Sequence, residues 1–161
     1  MKFFKTILFC AALICAASVF AQTDINLGAI NADPTAPVEI TADSLSIDQA
    51  SGTAIFIGNV VFGQGDLRLN AARVQVIYND ASGDISRLSA SGGVTFATAT
   101  EAAEALTADY NLDTGTLELA GDVLLTQGAS AISSDTMRVN LSDGSAQMEG
   151  RVRTMFNQGN N

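Results

Sequence analysis

The stretch Gly58–Tyr78, GNVVFGQGDLRLNAARVQVIY, decides the fold. Within it Leu67 and Leu69 flank Arg68, and Val74, Val76 and Tyr78 alternate with Arg73, Gln75 and Ile77. A period of two is the signature of half-buried β-strands with one apolar face. The opening tripeptide Gly58-Asn-Val60 returns as Gly92-Gly-Val94, Gly121-Asp-Val123 and Gly150-Arg-Val152. A second element, Ala42-Asp43, is matched by Ala72-Arg73, Ala108-Asp109 and Ser134-Asp135. Successive units lie about 30 residues apart, the range of stacked supersecondary repeats. Each unit reads as a hairpin that gives an apolar face to a shared interior.

Working outward, the same alternation recurs where Leu117 and Leu119 flank Glu118, and where Met137, Val139 and Leu141 alternate with Arg138 and Asn140. Turn signals separate the runs: Asp48-Gln-Ala-Ser-Gly52, Asp80-Ala-Ser-Gly83, Asp113-Thr-Gly115 and Asp143-Gly144. In each, Asp is expected to cap the turn and Gly to take its positive φ. The tandem glycine-aspartate pattern of calcium-binding β-rolls is missing, so these aspartates read as turn-formers. The only prolines are Pro34 and Pro37, and the run beyond them suits uninterrupted ladders. Thr98–Ala108, rich in Ala and Glu, fits the pattern poorly and reads as a longer connection or a ragged strand, with a short helix as the alternative.

The N-terminus sets the compartment. Lys2 and Lys5 precede an apolar run from Ile7 to Phe20, and Val19-Phe20-Ala21 precedes Gln22. This is the pattern of a secretory signal cleaved after Ala21. The run is roughly 14 residues, short of the about 20 that span a bilayer. Phe9 and Ile14 precede Cys10 and Cys15, so a lipoprotein signal is not expected. The expected organisation is signal peptide 1–21, irregular lead-in 22–37, an all-β domain 38–156 and a short polar tail 157–161.

Cleavage there removes both cysteines and both lysines, and the whole chain has no His and no Trp. Imidazole- or thiolate-based metal sites, disulfides and His- or Cys-dependent triads are thereby excluded from the mature chain. No cofactor and no enzymatic activity are expected. The balance of 17 acidic to 8 basic residues argues against nucleic acid and anionic membrane faces as partners.

The run Val38-Glu-Ile-Thr-Ala-Asp43, then Gly58-Asn-Val-Val-Phe62, Gln64-Gly-Asp-Leu-Arg-Leu-Asn-Ala71 and Val74-Gln-Val-Ile-Tyr78, resembles the LptA/OstA family of periplasmic lipopolysaccharide transport proteins. The resemblance covers Val38 to Phe156. It implies a twisted, open OstA-like β-jellyroll, built from repeated antiparallel hairpins, whose interior holds the acyl chains of lipid A. It also implies head-to-tail self-association by strand addition, and contact with inner-membrane LptC-like and outer-membrane LptD-like OstA domains. Neither end of the repeat array carries an obvious cap in the sequence, which agrees with strand addition. Matching the family's pattern places Val38 and Ile40 near the groove mouth and Phe62, Phe96, Tyr110, Leu112 and Leu125 along the groove. Each such residue reads equally well as plain core. Arg151 and Arg153, near the C-terminal edge, are expected to meet a lipid phosphate or a partner strand, or to keep the edge soluble. From the residues after Phe156 the long charged tail of some relatives is not expected here, nor, from the length, is an appended β-barrel.

Three competing readings remain. Retention of the N-terminal helix as an anchor would give an inner-membrane, LptC-like transfer component. A β-solenoid without a lipid ligand would keep the fold alone. A jellyroll glycosidase would need two opposed carboxylates, whereas nearly all acidic residues fall in turns or on outward strand positions.

Overall fold

The computed structural model describes residues 24–26, 33 and 35–156. The expected signal, most of the lead-in and the tail 157–161 lie outside the described residues. The chain forms one antiparallel sheet: β1 (Asp24–Asn26), β2 (Val38–Thr41), β3 (Ser44–Asp48), β4 (Thr53–Gln64), β5 (Leu67–Tyr78), β6 (Ile85–Ala97), β7 (Glu101–Asn111), β8 (Thr116–Gln127), β9 (Ser130–Asn140), β10 (Ser145–Glu149) and β11 (Arg153–Phe156). Spatial order is β1-β10-β9-β8-β7-β6-β5-β4-β2, with β3 also on β4 and β11 also on β9. β2 and β3 are thus one bent strand beside β4, and β10 and β11 one bent strand beside β9.

The bend recurs in every long strand, and the Gly-x-Val motif produces it. Gly58 and Asn59 sit at φ 84° and 45°, and Gly92-Gly93, Gly121-Asp122 and Gly150-Arg151 repeat the pair of positive values. The ladder slips at these points, between Ile57 and Val60, Ser91 and Val94, and Ala120 and Val123. Such bulges bend a strand and increase its twist. Space as well as φ demands glycine at the first position. A Cβ on Gly58 would lie 2.4 Å from Asp43 Oδ2, and one on Gly150 2.3 Å from Asp135 Oδ2. Asn and Asp tolerate the left-handed region at the second position. Arg151 is unusual there, and its guanidinium is held by hydrogen bonds to Asp135 Oδ1.

The residues lying over the four glycines are Asp43, Ala72, Leu106 and Asp135. Units two and three therefore register on Ala71-Ala72 and Ala105-Leu106, not on Ala72-Arg73 and Ala108-Asp109. On this strand type the buried positions step by three across the bend: Ala71 to Val74, Ala105 to Ala108, Ser134 to Met137. A period of two carries no phase across that step.

The bends line up and divide the sheet into two leaves. The first leaf runs β2, the second half of β4, the first half of β5, and so on to β11. The second runs β3, the first half of β4, the second half of β5, and so on to β10 and β1. Their apolar faces share one interior, where Phe62 of the first leaf meets Tyr110 of the second edge-on, ring centroids 6.1 Å apart. This is a twisted, open β-jellyroll.

Three local expectations change. Thr98–Ala108 is neither helix nor ragged connection: residues 98–100 make a tight turn and Glu101 begins the regular strand β7. Outward Ala102 and Leu106, with Glu101 buried on the inward face, hide the pattern that the buried Ala103, Ala105 and Ala108 obey. The lead-in contains a strand, β1, too short for any period to show, which covers part of the C-terminal edge. At two turns Asn takes the capping role assigned to Asp. The Ala81 amide donates to Asn79 Oδ1 and the Thr114 amide to Asn111 Oδ1, while Asp48 and Asp143 cap as expected.

Candidate functional site

Residues directly opposite in an antiparallel ladder share a face, so the register traces the interior row by row. In the first leaf one row runs Ile40, Phe62, Leu69, Phe96, Ala103, Leu125, Ile132, Thr154. Four of the seven residues expected in the groove thus stand in a single line across the leaf. Leu69, Ala103 and Ile132 belong to the same line and were not among them; the register that reveals them depends on the bulges.

Val38 lies opposite the buried Gln64, one row toward the rim. Tyr110 belongs to the second leaf, between Leu88 and Leu117. Leu112 follows β7 at that leaf's rim, where its amide donates to the Ser86 carbonyl. Phe62, Phe96, Tyr110 and Leu125 are buried, whereas Val38, Ile40 and Leu112 are half-buried against the same core.

The second leaf carries two inward rows that start at β3. Leu45 is opposite Phe56 and so on to Met148; Ile47 is opposite Ala54 and so on to Ala146. Phe56 is half-buried and Ala54 buried, yet Leu45 and Ile47 on the same face are 51% and 64% exposed. At this edge no further strand of the described residues covers that face. Val38, Ile40, Leu45, Ile47 and Phe56 therefore form an apolar mouth leading into a filled interior. Sequence reasoning missed Leu45 and Ile47, although their alternation with Ser44, Ser46 and Asp48 is a short strand signal.

Few polar groups enter the interior. The Tyr110 hydroxyl donates to Gln64 Oε1 at 3.1 Å, tying the two leaves, and burial raises its pKa. Glu101 is buried at the first leaf's rim, against the expectation that acidic residues point outward. Burial works to raise its pKa, but hydrogen bonds from Thr100, Thr98 and Gln127 outweigh it and leave the carboxylate below its ordinary value. Arg151 pairs with Asp135, holding that carboxyl below the usual range, while Arg153 is exposed on the edge strand β11.

The outer faces differ. On the second leaf Arg87 pairs with Asp109 and Arg138 with Glu118. On the first, Arg68 folds over Gly63 and donates to the Gly65 and Leu67 carbonyls.

Comparison with known proteins agrees with this geometry. A crystal structure of LptH, the LptA-homologous periplasmic component of the lipopolysaccharide transport device of Pseudomonas aeruginosa, superposes with a TM-score of 0.72. It is 16% identical, and the match covers 79% of this chain and 99% of that one, so it speaks for the fold. An uncharacterized protein of Rhizobium meliloti (strain 1021) is 29% identical over 154 residues, 89% of this chain and 83% of the relative. The family described as LptA/(LptD N-terminal domain) LPS transport protein matches residues 39–145. By that match, over most of the jellyroll, the chain belongs to the LptA/LptD N-terminal-domain family of lipopolysaccharide transport proteins.

Proposed function

We propose that this chain is an LptA-like periplasmic carrier that holds the acyl chains of lipopolysaccharide between its two leaves and passes them along a bridge of stacked copies. The observation that carries the reading is the mouth. Leu45 and Ile47 lie on the interior face and are exposed, so the apolar rows begin in solvent and continue into the core. Each acyl methylene moved from water to such a face is worth about 0.8 kcal/mol, so an acidic protein needs no charge attraction to hold an anionic lipid. The secretory pattern of residues 1–21 supports a periplasmic place.

Strand topology favours head-to-tail stacking. The bent strands alternate between a Gly-x type (β4, β6, β8, β10/β11) and a partner type (β2/β3, β5, β7, β9). The N-terminal edge ends on the partner type and the C-terminal edge on the Gly-x type, so a second copy continues the alternation and the antiparallel order. Repeating the ladder of β4 with β5 sets Thr154 opposite Ile40 of the next copy and Met148 opposite its Leu45. Charges also favour it: Glu39, Asp43 and Asp48 lie on one edge, and Arg151 and Arg153 beside a single acidic residue of the strand, Glu149, on the other.

The test is photocrosslinking to lipopolysaccharide from Ile40 and Leu45, with outward Arg68 and Leu106 as controls. Labelling at the mouth alone is expected. Equal labelling at all four positions, or none, sinks the carrier reading.

A further inference from the structure

We infer that β1 is an internal mimic of a second copy's β3 and competes with it for the open edge of β10. The inference rests on the head-to-tail reading above and adds to it a regulated site.

Carrying the β4–β5 register across a junction sets Gln147, Ala146 and Ser145 of β10 opposite Ser46, Ile47 and Asp48 of the next copy. In the single chain those same three residues face Asp24, Ile25 and Asn26 of β1, antiparallel and in the same direction. The two segments also read alike, Asp-Ile-Asn against Ser-Ile-Asp. One edge of β10 cannot pair with both. β11, by contrast, pairs only with β9 among the described residues, so its outer edge stays available. A second copy can therefore dock first on β11 in the first leaf and complete the junction only when β1 leaves β10.

The tether makes the competition finite. Residues 27–32 join β1 to Asp33, so its pairing with β10 is intramolecular, at a finite effective concentration set by the length of that tether and the span it crosses. A three-residue strand at that concentration is a weak cap, displaced by an edge that pairs along both leaves. Isolated copies would then keep Ser145–Gln147 of their C-terminal edge covered, which limits unproductive edge pairing.

The experiment compares the full chain with Ile25→Pro and Asn26→Pro. Successive amides in a strand point to opposite sides, so one of the two prolines removes an amide directed at β10. Sedimentation velocity across a concentration series reads self-association. Hydrogen exchange reads protection of Ser145–Gln147. A photocrosslinker at the exposed Met155 of β11 reads head-to-tail contact independently, and is expected to capture a second copy near Glu39.

One proline variant should associate at least about tenfold more tightly than the parent and lose β10 protection as a monomer, regaining it in the assembly. If Met155 captures the second copy while neither variant tightens association, the competition is overturned and head-to-tail stacking stands. If Met155 captures nothing, the stacking reading falls and the competition with it.

Discussion

Replacing Leu45 and Ile47 together by Asp separates lipid binding from folding. Full burial of a Leu or Ile side chain is worth about 1.5–3 kcal/mol. With 51% and 64% of these residues still exposed, an acyl chain laid over them gains about 1 kcal/mol from each, or about 2 kcal/mol for the pair. Folding loses less than about 2 kcal/mol, since only the covered fraction is at stake and β3 is an edge strand. The expected result is at least about a 30-fold rise in Kd for lipid A, read by displacement of a fluorescent acyl probe, because 1.4 kcal/mol is tenfold. The β-sheet circular-dichroism signal should stay. Leu106→Asp, equally exposed at 57% but on the outer face above Gly121, is the control and should bind normally. Phe96→Asp cannot serve the same purpose: Phe96 is 0% exposed, and truncating such a residue alone costs about 3–5 kcal/mol. Unchanged affinity in the folded double variant would refute the mouth as the entry for lipid.

Two further outcomes test the scaffold. Gly121→Ala places a methyl 2.9 Å from Leu106 Cβ at φ 84°, and should lower unfolding free energy by about 1–3 kcal/mol in urea titration; a variant as stable as the parent would contradict the bulge geometry. Glu101→Gln leaves donors from Thr98, Thr100 and Gln127 competing for a single acceptor oxygen, at a cost of about 1–3 kcal/mol near neutral pH. Because the folded carboxyl titrates below its ordinary value, its contribution is full above that value and fades as pH falls through the folded one, so parent and variant stabilities should converge in acid. A constant gap across that window, measured by chemical unfolding, would show that the charge plays no part.

Much of this molecule is legible in its sequence, and the limits are physical. Alternation around Leu67–Tyr78 and Leu117–Leu119 announces strands because each has one wet face and one dry face. Gly58, Gly92, Gly121 and Gly150 announce the bends because nothing else fits a positive φ against a neighbouring strand. What escapes is phase. Beyond each bulge the partner strand steps by three, so Arg73 and Asp109 look equivalent to Asp43 when Ala72 and Leu106 hold that place. For the same reason Ile40, Phe62, Phe96 and Leu125 can be chosen from pattern, but their shared row appears only with the register. Leu45 and Ile47 were missed because their exposure depends on which strand ends the sheet, a tertiary fact. β1 was missed because three residues carry no period.

On the proposed carrier reading, a filled interior sets the terms on which a lipid enters. Among the described residues no backbone ladder joins the leaves through the interior; they meet there through side chains, so parting them exposes apolar surface at about 25 cal/mol per Å². Acyl chains that fill the gap return that surface to an apolar contact at the same rate. Loading is then an exchange of like for like, which suits a carrier that must also release its cargo. The Tyr110–Gln64 hydrogen bond is not exchanged in this way, since an acyl chain offers no donor or acceptor. Tyr110→Phe removes it while the ring keeps its edge-on contact with Phe62. Stability should fall by about 1 kcal/mol, while lipid association, followed by stopped-flow with a fluorescent acyl probe, becomes faster by up to about tenfold. If the variant loads lipid no faster than the parent, the leaves do not part at Tyr110, and lipid is held at the mouth alone.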